Sequence, residues 1–187
     1  MMECGHIPVL PNDVVSLLQP QPSDVIVDLT AGRGGHAELL ATIAGASSTV
    51  VLFDLDKLNL EYAANRIKKT GATVHTIHAS FATASSALNG LDLRADCVLA
   101  DLGFASNQMD DSDRGLSFRN DGPLDMRLNT ELGATAADII ETSTETELAD
   151  IIYQFGEEPY SRRIARKIVQ ERQKEPILGT VRLAQIV

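Results

Sequence analysis

Residues 25–29, Val-Ile-Val-Asp-Leu, form a short β-branched run that stops against a glycine-rich turn and restarts as a helix-forming stretch at 37–44. That strand–turn–helix order constrains the fold more than any other feature, because a strand feeding a helix rejoins a parallel sheet by a right-handed crossover. The order then repeats. A second run at 49–54 leads into residues 58–69, where Leu58, Tyr62, Ala63, Arg66 and Ile67 recur at helical spacing and Gly71 supplies a stop. Residues 73–79 and 96–100 make a third and a fourth strand, the last nearly all apolar, as strands covered on both faces are. This βαβαβαβ alternation predicts a doubly wound α/β parallel sheet whose ligands sit outside the carboxyl ends of its strands. Past residue 101 the pattern changes: 109–132 is polar and strand-poor, and 134–187 has helical composition. The expected division is a cofactor-binding domain at 1–106 and a mostly helical, incomplete substrate-recognition subdomain at 107–187.

A length of 187 residues permits one real core, and 44% hydrophobic against 22% charged residues excludes a disordered or collagen-like chain. No window reaches the roughly 18 uncharged apolar residues of a spanning helix. Residues 1–10 carry Glu3 and no Lys or Arg, so no secretory leader is expected. Two cysteines, Cys4 and Cys97, are too few for a disulfide framework, which points to a reducing cytoplasm. His75 and His78 find no Cys or carboxylate to complete a ligand set and are read as structural, so no metal is expected. The net charge of −10 disfavours a generic nucleic-acid coat. Its distribution is uneven, since residues 160–174 hold Arg162, Arg163, Arg166, Lys167, Arg172 and Lys174 against Glu171 alone.

After the first strand, Asp28-Leu29-Thr30-Ala31-Gly32-Arg33-Gly34-Gly35-His36-Ala37 matches G-x-G-x-x-A at Gly32, Gly34 and Ala37. Glycines there allow a tight turn and close approach to a ligand, while the helix start offers free N–H groups to a carboxylate or phosphate. Asp54 closes the second strand about 20 residues further on, the spacing at which an acid accepts ribose hydroxyls. Phe81, beyond the third strand, offers a stacking face to an adenine. A nucleoside ligand is implied; a dinucleotide and S-adenosylmethionine both use this geometry. The plain alternative is that the glycines only build a turn and Asp54 only caps the next helix.

Further strings extend the pattern: His6-Ile7-Pro8-Val9-Leu10, Asp101-Leu102-Gly103, Asn107-Gln108-Met109-Asp110-Asp111, Arg114-Gly115-Leu116-Ser117-Phe118, Gly122-Pro123-Leu124-Asp125-Met126-Arg127 and Gly156-Glu157-Glu158. In this order the chain resembles the RsmH (MraW) family, which methylates N4 of a cytidine in 16S ribosomal RNA. The resemblance covers essentially the whole chain. It implies a Rossmann-like sheet, cytoplasmic rRNA processing on the small ribosomal subunit, and S-adenosylmethionine contacts at Gly34, Gly35, His36, Asp54, Phe81, Asp101 and Gln108, with Gly32 added by the turn motif. It also places His6 near the active site. Departures occur where the family has Val-Ser at Phe104-Ala105, Phe at Leu116 and Glu at Asp13. The family continues well past Val187, so the chain is expected to be a fragment or degenerate copy whose fourth strand would leave an open apolar edge.

The resemblance sets the chemistry. Cytosine N4 is a poor nucleophile because its lone pair is delocalised into the ring, so Asp101 is the candidate to hold the amine hydrogen and align the nitrogen. The base must be unstacked to reach the donor. Asp101-Leu102-Gly103-Phe104 resembles the Asp-Pro-Pro-aromatic loop of amino-methylating enzymes, which makes Phe104 a candidate stacking surface, weighed against simple packing. Along 161–174, Ile164, Ala165, Ile168 and Val169 share one helical face while Arg163, Arg166, Lys167, Gln170 and Lys174 share the other. The basic face is a candidate grip on RNA phosphates, against the plainer reading of a solvated surface. Arg114, Arg119 and Arg127, on the polar loop, are candidates for positioning RNA or the cofactor carboxylate. Three readings stand: an rRNA methyltransferase, a non-catalytic cofactor- or RNA-binding remnant, and a nicotinamide dehydrogenase, which lacks a recognisable hydride-accepting constellation after Asp101. A homodimer is held open as a further partner.

Overall fold

The computed structural model describes residues 8–104, 106–131 and 133–187. Expectations placed on Glu3, Cys4, His6 and Ala105 lie outside them. The chain divides into two compact units, Met1–Ala105 and Ser106–Val187.

In the first unit the elements run α1 (Pro11–Leu18), β1 (Val25–Asp28), α2 (Gly35–Ala44), β2 (Thr49–Asp54), α3 (Lys57–Ile67), β3 (Thr73–His78), α4 (Ala84–Gly90) and β4 (Cys97–Leu99). All pairings are parallel, in the order β3-β2-β1-β4. Alternate residues of β1 and β2 go to opposite faces: Ile26, Val50 and Leu52 pack with Leu40, Leu60 and Ile67 of α2 and α3, while Val27, Val51 and Phe53 pack towards α4. Burial on both faces explains why these strands read as continuous apolar runs. The fourth strand departs from that expectation. Among the described residues it pairs only with β1, and Val98 is half exposed, so β4 is an edge covered on one face, through Cys97 and Leu99. Helix α1 was not among the expected elements: Pro11 and Asp13 in its first turn were its sequence signals, while its N-cap, Leu10, is left-handed and makes no side-chain cap.

The second unit comprises α5 (Ser106–Asp110), α6 (Ala136–Thr142), α7 (Glu145–Gly156), α8 (Ser161–Arg172) and α9 (Thr180–Ile186). Its core gathers Leu124, Ile140, Leu148, Ala165, Ile168, Ile177 and Ile186. Helix α8 turns Ala165 and Ile168 inward and leaves Arg163, Arg166 and Lys167 exposed, as its periodicity requires. Thr135 with Asp138 and Thr144 with Glu147 form reciprocal capping boxes that start α6 and α7. Arg172 reaches from α8 to donate to the carbonyls of Ile140 and Ser143, closing the end of α6. Among the described residues no helix is long and apolar enough to cross a membrane.

Candidate functional site

The parallel register sets Asp28 level with Leu52 and Leu99, so the loops leaving β1, β2 and β4 emerge at one rim of the sheet. Backbone and side-chain bonds then lace those loops together. Leu29 N–H donates to Leu99 O and Ala31 N–H to Phe53 O, each at 2.9 Å. Thr30 Oγ1 accepts the Asp101 N–H at 2.7 Å, which pins the end of β4 to the loop after β1. Gly32 N–H donates to Asp54 Oδ2 at 2.7 Å, and the other oxygen of Asp54 accepts the Asp56 N–H at 2.8 Å. The helix-capping role weighed for Asp54 falls instead to Asp56, whose Oδ1 takes the N–H of Leu58 at 3.0 Å. Each carboxylate oxygen of Asp54 keeps a second lone pair for a ligand hydroxyl.

Gly34 sits at φ +76°, where a side chain would put its Cβ 2.9 Å from the Cβ of Ala63 on α3. The turn is glycine at this point for both reasons, left-handed backbone and close approach to a helix. Ala37, the last position of the motif, is fully buried at the start of α2. Glu38 and Arg66 add a 2.6 Å ion pair between α2 and α3.

The electrostatics of the rim are lopsided. Asp28 is 2% exposed, and burial pushes its carboxyl up to about 7, reinforced by the nearby charges of Asp54 and Asp101 and opposed by the Thr30 N–H on its Oδ1 at 3.1 Å. Burial likewise raises Asp54 above the usual carboxylate range. Asp101 remains half exposed, with its Oδ2 3.7 Å from Nε2 of the buried His36. Three carboxyl groups gathered at a strand-end rim favour a cation beside a hydroxyl-bearing ligand. Arg33, the cation within the turn, points away: its guanidinium carbon lies 4.3 Å from the centre of the Tyr62 ring on α3.

Of the residues singled out in the sequence, Gly32, Gly34, Gly35, His36, Asp54 and Asp101 therefore belong to one connected rim, and Phe81 follows β3 on the same side with about half its surface exposed. Phe104 is 57% exposed, so it does not serve as a core residue. Gln108 is buried within the second unit. In that unit Arg127 grips Asp125 through both Nε (2.8 Å) and Nη2 (2.7 Å), and Arg114 bonds Leu128 O at 3.4 Å. Arg166 pairs with Glu145 at 3.3 Å, whereas Arg119, Arg163 and Lys167 are exposed. His78 shares a 2.9 Å hydrogen bond with Leu55 O, in keeping with a structural part. Sequence reasoning passed over Asp28. Its signal was an acid closing an otherwise apolar strand immediately before the glycine turn.

A parallel sheet whose glycine turn, strand-end acids and exposed Phe81 share one rim is the arrangement in which α/β domains bind nucleoside-type ligands. The chain belongs to the MraW methylase family, whose model matches residues 3–187. Among curated relatives, proteins named ribosomal RNA small subunit methyltransferase H align with 97% of this chain. The one from Syntrophotalea carbinolica is 43% identical over 183 residues, which are 58% of its own length. Those from Neisseria meningitidis serogroup B and Nitrosomonas europaea are 43% and 41% identical, with 56% and 57% of their lengths covered. The chain thus spans a little over half the length of the curated relatives it matches.

Proposed function

We propose that this chain forms the cofactor-binding and substrate-recognition portion of an S-adenosylmethionine-dependent methyltransferase acting on the N4 amine of a cytidine in 16S ribosomal RNA. The observation that carries the reading is the convergence of the glycine turn, Asp54 and a solvent-facing Asp101 on one sheet rim. The residues there fit the cofactor. Asp54 is set to accept ribose hydroxyls, Phe81 to stack on the adenine, and Gly32, Gly34, Gly35 and His36 to hold the methionine end beside the start of α2. A cation beside Asp28 and Asp54 would offset the burial that raises their carboxyls and favour their ionised forms, which suits its positive charges. When bound, the cofactor supplies an electrophilic methyl carbon that needs little further activation.

What the chain itself must do is present the amine. Asp101 accepts a hydrogen bond from the N4 amine, which withdraws the lone pair from the ring and leaves an acceptor in place for the amine proton. Phe104 stacks on the unstacked base, a use that its exposure supports. Arg119, Arg163 and Lys167 offer exposed charge to phosphates, while Arg114, Arg127 and Arg166 reach RNA only with donors left over from their protein partners. The reading locates the chain in the cytoplasm with the small ribosomal subunit as partner; a homodimer is a further expectation, checked by light scattering.

Parallel calorimetric titrations with S-adenosylmethionine and NAD, followed by methyl incorporation into small ribosomal subunits, test the reading. Binding of the methyl donor alone and a new methyl group on cytidine N4 are expected. Donor binding without transfer selects the non-catalytic remnant, and NAD binding overturns the proposal. Phe104→Ala is expected to slow RNA turnover and spare donor affinity.

A further inference from the structure

Arg33 stands in the glycine turn between Gly32, whose N–H is held by Asp54, and Gly34, which backs onto Ala63. A flexible guanidinium tethered beside Asp28, Asp54 and Asp101 is a natural counter-ion for them, and the effective concentration of a tethered group is high. Left free, it would fold over the rim and compete with any cationic ligand. Two charged groups on the packed elements are engaged elsewhere: Glu38 of α2 is paired with Arg66 of α3, and His36 lies beside Asp101. What holds it is the Tyr62 ring, which the guanidinium carbon meets at 4.3 Å. Arg33 is also only partly exposed, as expected of a side chain laid along α3 rather than extended into water.

We infer that Tyr62 is a positioning residue that parks the Arg33 guanidinium outside the site and so keeps the carboxylate rim open to a cationic methyl donor. The inference rests on the proposed function and adds a specificity consequence. The donor carries a sulfonium that the thioether product, S-adenosylhomocysteine, lacks. An arginine released into the rim therefore opposes the donor by one more charge than it opposes the product. Parking Arg33 favours donor over product, on top of the contacts both ligands share.

Calorimetric titration of both ligands into the full chain and its variants tests this. Tyr62→Phe keeps the ring face and is expected to stay within about twofold of the unmodified chain for both. Tyr62→Leu is expected to weaken donor binding about three- to fivefold and product binding less than about twofold, in line with a partly exposed cation–π contact. Adding Arg33→Gln to Tyr62→Leu is expected to restore donor affinity, which a merely structural role for Tyr62 would not allow. Equal loss for both ligands, or no rescue by Arg33→Gln, overturns the inference. A ligand-free measurement separates it from the cofactor reading. Carboxyl NMR titration of Asp28 is expected to show a lower midpoint in Tyr62→Leu, as Arg33 swings in, and to return in the double variant. If the unmodified chain binds neither ligand, the cofactor reading fails, and an Asp28 midpoint that ignores Tyr62→Leu still overturns the parking role.

Discussion

The acids at the sheet rim and the capping or ion-paired acids of the helical unit behave in opposite ways. At the sheet rim of the first unit, burial raises Asp28 and Asp54 above the ordinary carboxylate range. In the second, hydrogen bonds and neighbouring cations lower theirs: Asp125 through Arg127, Asp138 through Thr135, Glu147 through Thr144 and Glu171 through Lys174. The helical unit uses its acids as caps and ion-pair partners, so each helps to hold the fold. The sheet unit concentrates acids where their mutual repulsion and desolvation work against the fold, which is the expected signature of a site organised for a ligand rather than for stability.

Substitutions can break or sharpen that contrast. Gly34→Val removes a left-handed glycine and drives a branched side chain into Ala63, a combination expected to destabilise by about 3–5 kcal/mol and to abolish donor binding. Urea unfolding followed by circular dichroism checks it, and a variant as stable as the parent would refute the close approach.

Asp28→Asn tests the rim directly. A carboxyl whose pKa rises from 3.8 to about 7 on folding binds its proton more tightly in the folded state. Its contribution is therefore fully present below about pH 4, and it is lost as the pH climbs through about 7. The full swing is on the order of 4 kcal/mol. The stability of Asp28→Asn measured against the parent should improve across that window, and a flat difference would remove the raised carboxyl from the account.

In the helical unit, Arg172→Met leaves the last carbonyls of α6 without their charged donor and is expected to lower stability by about 1.5–3 kcal/mol while leaving donor affinity unchanged. Thr144→Ala, which opens one capping box, is expected to lower it by about 1 kcal/mol. A change in donor affinity in either variant would contradict the division of labour between the rim acids and the acids that hold the helical unit.

The strands and the turn of the first unit were legible because their causes are local: β-branched runs, glycines at fixed offsets and helical spacing in residues 58–67. Asp54 was also legible by spacing, although its bonds to Gly32 and Asp56 were not, since they need the folded register. Asp28 was hidden because an acid at the end of a strand looks like solvent-facing punctuation until neighbouring strands bury it. The exposed face of Val98 was misread for the converse reason: three apolar residues look central whether or not a neighbour pairs with them. In the second unit the helix faces of α8 followed from periodicity, but Arg172 finds its carbonyls 29 and 32 residues away, a separation that local pattern does not encode. Arg127 had its partner two residues upstream, and only the bidentate geometry shows how much of its fork is already engaged.

The two amides on Asp54 have one more consequence. Because one comes from the loop after β1 and the other from the loop after β2, the side chain is fixed in a single rotamer before anything binds. A hydroxyl arriving there meets an acceptor already aimed, and association forfeits no side-chain freedom at that position. Lengthening the residue by one methylene, to Glu, would keep the charge and lose the aim.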